Sequence, residues 1–129
     1  RVSGLAFITR SDFEKCSKFP DGIARVNYPI DIHSPTGGTT EITKLPNGEW
    51  YEVPYRSIVP KDIDNLLIGC RAVSADHAAH SSLRVMPPVC SIGQAAGVAA
   101  AMAIEGKVAP KDLDGAAVRR KLIETGRNL

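Results

Sequence analysis

The feature that most constrains this chain is an apolar segment followed by a polar loop and a helix of small residues. Residues 66–69 are apolar, and their short length predicts a buried strand. The following loop is rich in His, Ser and Arg, and a helix is predicted to begin near Pro88 and to end at Gly106. A strand, a polar loop and a helix N-terminus in this order commonly hold a phosphorylated or negatively polarised ligand.

Two glycines within the predicted helix indicate that another part of the chain or a ligand comes close to the helix. Gly93 and Gly97 lie four residues apart, and each costs about 1 kcal/mol relative to alanine in a helix interior. Small residues at this spacing allow another backbone, or a flat ligand, to come near the helix. Ordinary helix packing through small residues explains the same pattern, and the spacing alone does not separate the two interpretations.

The first part of the chain predicts strands and turns. Residues 2–9 and 23–33 are rich in side chains that favour strands. Residues 39–45 and 49–55 predict a hairpin around the Asn-Gly pair at 47–48, which is a strong turn signal. This part of the chain is therefore expected to be β-rich.

Helical signals mark three further places. Ser11 is the predicted N-cap of a short helical turn, and residues 73–83 fit either a loop or a short helix. A last helix is predicted to begin around residues 112–114 and to end at Gly126. Together these elements predict an α+β fold, with a β-rich N-terminal half followed by a short buried strand and two C-terminal helices.

An ordered set of short motifs gives the chain its strongest resemblance. The motifs are Tyr28-Pro-Ile-Asp-Ile-His33, Trp50-Tyr-Glu-Val-Pro-Tyr-Arg-Ser57-Ile-Val-Pro60, Asp64-Asn-Leu-Leu-Ile, Ser74-Ala-Asp-His77-Ala-Ala-His80, Arg84-Val-Met-Pro87 and Gly93-Gln-Ala-Ala-Gly97. From Arg25 to the end of the small-residue helix, the chain resembles the C-terminal segment of a family of bacterial FAD-dependent oxidoreductases. The resemblance implies FAD as cofactor and hydride transfer between an organic substrate and the flavin.

The resemblance also implies a division of the chain. Residues 1–56 would belong to the domain that covers the flavin and shapes the substrate pocket, and residues 57–129 to the C-terminal part of the FAD-binding domain. No Gly-x-Gly-x-x-Gly motif is present to grip a dinucleotide. We therefore expect a fragment of a larger two-domain α/β flavoprotein, inactive alone, in which residues outside this sequence hold the ADP half of FAD.

The resemblance places candidate site residues in the loop and at the start of the helix. The expected cofactor contacts are Arg71, Ser74, Arg84, Met86, Pro87, Gly93 and Gln94. Free N–H groups around residues 90–93 are expected to stabilise a reduced flavin. Tyr55 and Arg56 are expected at the substrate. His77 and His80 are expected to handle protons, because histidine titrates at about pH 6.5.

Each candidate also has an ordinary structural explanation. Either loop arginine is able to pair with Asp76 or Asp64, and Tyr55 is equally an interface aromatic. Cys70 stands where this family usually has a glycine, and packing as a small hydrophobic residue explains it. Histidines at 77 and 80 have a metal-ligand spacing only on a helix, and no complete ligand set is apparent, so no metal is expected.

Composition limits the partners. The 16 basic and 14 acidic residues nearly balance, which gives no sign of a nucleic-acid surface. The apolar run at 89–104 is shorter than the roughly 20 residues of a membrane span, so no membrane partner is expected. Three cysteines in no metal or disulfide pattern favour a reducing compartment and a cytoplasmic location. The expected partners are a small-molecule substrate and the rest of the chain's own polypeptide, and uncovered apolar faces favour self-association.

Three other functions remain open from the sequence. The chain fits a standalone module that binds a small ligand or carbohydrate, and also a non-catalytic interaction domain that packs through its small-residue helix. A metal-dependent hydrolase using His33, His77 and His80 is the third alternative.

Overall fold

The computed structural model describes residues 1–34 and 37–129, and their elements confirm the α+β class. The strands are β1 (Gly22–Val26), β2 (Ile30–Ile32), β3 (Glu41–Thr43) and β4 (Tyr51–Pro54). The helices are α1 (Arg10–Glu14), α2 (His77–Leu83), α3 (Met86–Gly106) and α4 (Gly115–Glu124). Short 3₁₀ turns span Tyr55–Ile58 and Pro110–Asp112.

The strands form two antiparallel pairs, β1 with β4 and β2 with β3. The predicted hairpin between β3 and β4 is therefore wrong, although its turn is present: Gly48 has φ +83° and the Glu49 N–H donates to Pro46 O over 3.1 Å. All four residues of β4 are buried, whereas β3 is mostly exposed. Burial thus pairs β4 with the equally apolar β1 and leaves β3 beside β2.

The predicted strand at 66–69 is also wrong. Leu66 is 38% exposed, and among the described residues this segment pairs with no strand. One backbone bond, from Ile68 N–H to Ile58 O over 2.9 Å, ties it to the fold. Residues 2–9 likewise form isolated bridges at Gly4 and Ile8 instead of a strand. The 2–9 segment forms backbone hydrogen bonds with two different stretches of chain, such as Leu5 N–H to Val59 O and Ile8 N–H to Ser74 O, so no continuous ladder with one partner forms.

The short first helix is capped differently from the prediction. Thr9, not Ser11, is the N-cap of α1, because its backbone is extended and its hydroxyl accepts from Asp12 N–H. The Asp12 carboxylate accepts in turn from Thr9 N–H over 2.8 Å. This reciprocal capping box leaves Ser11 inside the first turn.

The long helix starts and ends close to its predicted bounds, but not at them. α3 begins at Met86 because Val85 is extended and the prolines that follow suit a first turn. The left-handed residue at its end is Lys107, with φ 52°, and not Gly106. α4 begins after its N-cap Asp114 and is followed by Gly126 with φ +92°, as predicted.

The 21 residues of α3 are long and apolar enough to span a membrane, so the expectation that this run is too short is wrong. Length and composition are weak evidence, because a core helix meets the same criterion. One face of α3 packs in the core through Ile92, Ala95 and Ala99, and it contacts β1 and α4.

A buried ion pair joins α4 to the sheet. Glu52 on β4 is 2% exposed, and its two carboxylate oxygens accept from the Arg119 guanidinium over 3.0 and 3.1 Å. Phe19 N–H also donates to this carboxylate, and Arg119 donates to Gly22 O over 2.8 Å. A Cβ at Gly22 would stand 2.3 Å from the carboxylate, so glycine is needed there for room, not for its backbone angle.

The hydrophobic core includes residues from both sides of position 56, where the sequence analysis divides the chain.

Arg119→Met tests this pair. The change leaves the Glu52 carboxylate buried without its cation, so the free energy of unfolding should fall by about 3–5 kcal/mol. Urea denaturation followed by circular dichroism measures the loss. Arg120→Met is the matched control, because its partner Asp114 and Arg120 itself are exposed, and it should cost less than about 1 kcal/mol. Similar losses in both variants would contradict the role given to Arg119.

Candidate functional site

Two open clefts flank the junction between α2 and α3. The first, here called the histidine cleft, has a volume of about 270 Å³ and is lined by Asp31, His33, His77, His80, Ser81 and Arg84. The second, here called the apolar cleft, has a volume of about 300 Å³ and is lined mainly by Arg25, Val26, Tyr28, Val85, Met86 and Pro87. The same two chain segments, 25–33 and 77–88, form both clefts. The consecutive residues 84 and 85 separate them.

Hydrogen bonds hold these two segments together. Ser82 Oγ donates to Tyr28 O over 2.6 Å, and Asp31 N–H donates to Ser81 Oγ over 3.2 Å. Asp76 fixes the start of α2, since its carboxylate accepts from Ala79 N–H over 2.7 Å. Short serine side chains at 81 and 82 therefore let α2 lie directly against β2.

His80 is held in one tautomer. Its Nε2 lies 3.0 Å from Arg71 O, and because a carbonyl only accepts, Nε2 carries the proton and Nδ1 has the lone pair. Burial is the main cause that lowers the pKa of His80, and the positive charges of Arg1 and Arg84 lower it further. The ring is thus a neutral imidazole at neutral pH, with Nδ1 as a potential base.

A third histidine enters the same cleft from β2. His33 Nε2 lies 3.3 Å from Asp31 Oδ1, and Thr40 Oγ1 lies 3.3 Å from His33 Nδ1. Within residues 1–34 and 37–129, no three His, Cys, Asp or Glu side chains form a group that could hold a metal ion. The three histidines therefore share a cleft without forming a metal site there.

The N-terminus of α3 offers fewer donors than expected. Pro87 and Pro88 have no N–H, and the Val89 N–H donates to Val85 O over 3.2 Å. Because the helix begins at Met86, the amides of residues 90–93 lie inside its hydrogen-bonded turns. The expectation of free N–H groups there is wrong. The helix dipole remains, and Met86 is 81% exposed beside the apolar cleft.

The two glycines of α3 differ in their surroundings. A Cβ at Gly93 would lie 3.3 Å from Gly69 O, whereas a Cβ at Gly97 would meet no atom within 4 Å. Gly93 therefore allows the backbone at 69 to approach the helix. Neither Gly93 nor the exposed Gln94 is among the described residues that line the two clefts, and their flavin contacts remain predictions.

The loop arginines do not make the ion pairs considered for them. Asp64 pairs with Lys111 over 2.6 Å, and the Asp76 carboxylate caps α2 and binds Arg10 N–H. Among the described residues, no carboxylate forms an ion pair with Arg71 or Arg84.

Ser74, another predicted cofactor residue, is fully buried. Its N–H donates to Ser57 O over 3.0 Å, and its O accepts from Ile8 N–H over 3.0 Å. Its Oγ finds no hydrogen-bond partner in the described part of the chain. Cys70 is exposed and a free thiol, and not a buried hydrophobic residue.

The predicted substrate residues line a different cleft. Tyr55 OH donates to Pro110 O over 2.7 Å, and burial raises its pKa to about 12. Arg56 Nε lies 2.9 Å from Asp21 Oδ2 in an ion pair. Both residues line a cleft of about 320 Å³ beside the start of α4. Their role at a substrate remains a prediction.

Arg25 is the site residue that sequence reasoning missed. Its guanidinium lies over the Trp50 ring, 4.3 Å from the centroid, and its buried Nε has no hydrogen-bond partner among the described residues. It lines the apolar cleft. A lone arginine in a strand carries no sequence signal, and only the position of β1 opposite Val85 and Met86 shows its relevance.

A family model described as FAD dependent oxidoreductase matches residues 1–122. The chain belongs to this FAD-dependent oxidoreductase family. No curated protein and no solved structure gives a match. Membership confirms the resemblance seen in the motifs and supports an oxidoreductase function with FAD, and it does not favour a non-catalytic interaction module.

The tautomer and environment of His80 lead to a pH prediction. NMR titration should give His80 a pKa below 6.5, and Arg84→Gln should raise it by removing a positive charge. Because the folded pKa is lower than the unfolded one, His80 reduces stability as the pH falls through 6.5 toward the folded value. A measured pKa at or above 6.5 in the folded protein would contradict this environment.

The glycines lead to a second prediction. Gly97→Ala should raise the free energy of unfolding by up to about 1 kcal/mol, because its Cβ meets open space and alanine favours the helix. Gly93→Ala should gain less or lose stability, since its Cβ must push against Gly69 O. Thermal melts of both variants compare them directly, and equal gains would show that the contact at Gly93 is unimportant.

Proposed function

We propose that this chain forms part of the flavin and substrate site of an FAD-dependent oxidoreductase. The flavin ring would lie at the apolar cleft, and the reacting part of the substrate would lie at the histidine cleft. The observation that carries the proposal is the position of the two clefts, which share the 84–85 junction and are formed by the same two segments. Hydride transfer needs the substrate beside the flavin, and two clefts on either side of one short turn would hold the two groups as neighbours.

The residues of the apolar cleft fit an aromatic ring system with polar edges. Tyr28, Val85 and Pro87 supply apolar walls, and Arg25, whose guanidinium is stacked on Trp50, supplies a positive charge at the lining. A guanidinium donor suits the electron-rich carbonyls of a flavin pyrimidine. FAD, when bound, supplies the hydride-transfer chemistry. The ring part of the cofactor is what these residues fit.

The chain's own groups would supply electrostatics and proton handling. The N-terminal end of α3 places a partial positive charge at Met86, which favours a ligand that carries negative charge there. In the histidine cleft, His80 Nδ1 would accept a proton from the substrate, while Nε2–H stays bonded to Arg71 O. His77, exposed in the same cleft, would exchange that proton with solvent.

Exposed apolar residues support the wider assembly that we propose. Ile63, Leu66, Ile104 and Val108 are each more than a third exposed. We propose that the rest of the same polypeptide covers this surface, that the chain alone has no oxidoreductase activity, and that the enzyme is cytoplasmic. Apolar area of this kind otherwise favours self-association.

Met86→Glu in the FAD-dependent enzyme tests the flavin position. An exposed acid in the first turn should leave the fold intact and stabilise α3 by about 0.3–1 kcal/mol. Its charge would stand beside the polarised flavin carbonyls, so FAD affinity should fall at least about tenfold, which corresponds to 1.4 kcal/mol. Titration of the FAD-free enzyme with FAD, followed by flavin fluorescence, measures this loss.

Ala101→Glu is the matched control for that experiment. Ala101 is exposed on the same helix about four turns from Met86, so the same new charge should leave FAD affinity unchanged. Unaltered FAD binding in Met86→Glu, or an equal loss in the control, would remove the flavin from the apolar cleft.

A further inference from the structure

The histidine cleft contains a cation without a carboxylate partner. Arg84 lines the cleft, and no ion pair holds its guanidinium within residues 1–34 and 37–129. By contrast, Arg10, Arg56 and Arg119 each have a carboxylate within 3.0 Å. A guanidinium that keeps its planar fork of donors available is suited to a carboxylate or phosphate group.

The acidic residue of this cleft, Asp31, forms no ion pair with Arg84 within the described residues. Asp31 directs Oδ1 toward His33 Nε2 at 3.3 Å, and the Asp31 backbone is bound to Ser81. At His80, the charges that act are positive, from Arg1 and Arg84, and they add to burial in lowering its pKa. Arg84 therefore places a positive charge on the α2 side of the cleft.

The remaining donors and the size of the cleft define its ligand. His77 lies exposed at the cleft, and the N–H of its imidazole ring adds a donor beside Arg84. A volume of about 270 Å³ lies just below the range of roughly 300–1,000 Å³ for typical ligand pockets. It therefore has room for a small acid or for one end of a larger ligand.

We propose that the histidine cleft binds an oxyanion, the carboxylate or phosphate group of a small substrate, and that Arg84 supplies the charge that holds it. This inference rests on the proposed function, because it names the substrate class for the same site. Arg84 is thereby assigned to the substrate, and the apolar cleft on the other side of Val85 to the flavin.

Titration calorimetry on the FAD-loaded enzyme tests the proposal with acetate, succinate and inorganic phosphate as probes. At least one probe should bind saturably, and Arg84→Gln should weaken its binding at least about tenfold, because the variant loses the charge-assisted hydrogen bonds of the guanidinium. Arg84→Lys keeps the positive charge but not the planar pair of guanidinium donors, so it should reduce probe affinity less than Arg84→Gln does. Arg120→Gln, an exposed arginine on α4, should bind like the unaltered enzyme.

The same titrations on FAD-free enzyme, with pyrophosphate added as a probe, separate the two sources of an oxyanion. Carboxylate or phosphate binding that persists when FAD is loaded supports a substrate group in the cleft. Binding that FAD abolishes would assign the cleft to the cofactor's own phosphates and overturn the proposal, as would probes that bind Arg84→Gln unchanged or do not bind at all. An enzyme that never binds FAD would refute the proposed function, while anion binding to the FAD-free protein would still decide the role of Arg84.

Discussion

The ion pair between Glu52 and Arg119 is the contact on which the arrangement of the fold depends. It joins β4 to α4, and through Gly22 O it reaches β1 as well. Replacing a buried pair by apolar residues is often neutral or stabilising, whereas breaking one is costly, so we infer that this pair fixes where α4 lies more than it adds net stability. With α4 fixed against β1, α3 packs against both of them, and its N-terminus lies beside the β1–β2 connection that carries Tyr28.

Helix ends and turns depend on residues that are close in sequence, and these could be predicted. Strand pairing depends on residues that are far apart in sequence, and it could not. The end of α4 at Gly126 and the turn at Gly48 depend on residues a few positions apart, and both were predicted correctly. The partner of β4 depends on which strands bury both faces, which is a property of the whole core. The apolar run at 66–69 predicts a strand from its pattern alone. That pattern does not show whether another strand is available to pair with it, which is why the prediction is wrong.

The candidate site shows the same division. The sequence of the polar loop predicts His77, His80 and Arg84 as site residues, and all three line one cleft in the structure. His33 and Arg25 lie more than 40 residues away in sequence, and only the packing of α2 against β2 and of α3 against β1 brings them to the clefts. The sequence analysis grouped His33 with His77 and His80 only as an alternative metal site, and an isolated arginine such as Arg25 has no spacing to interpret.

The junction between α2 and α3 explains why two chemically different clefts lie side by side. Arg84 caps α2, with its N–H donating to His80 O over 3.2 Å, and Val85 is the extended N-cap of α3. The change from one helix to the next thus takes place over two residues, one charged and one apolar. Because successive side chains in such a short turn point in different directions, each lines its own cleft. A two-residue turn therefore separates a cationic surface from an apolar one without any intervening element.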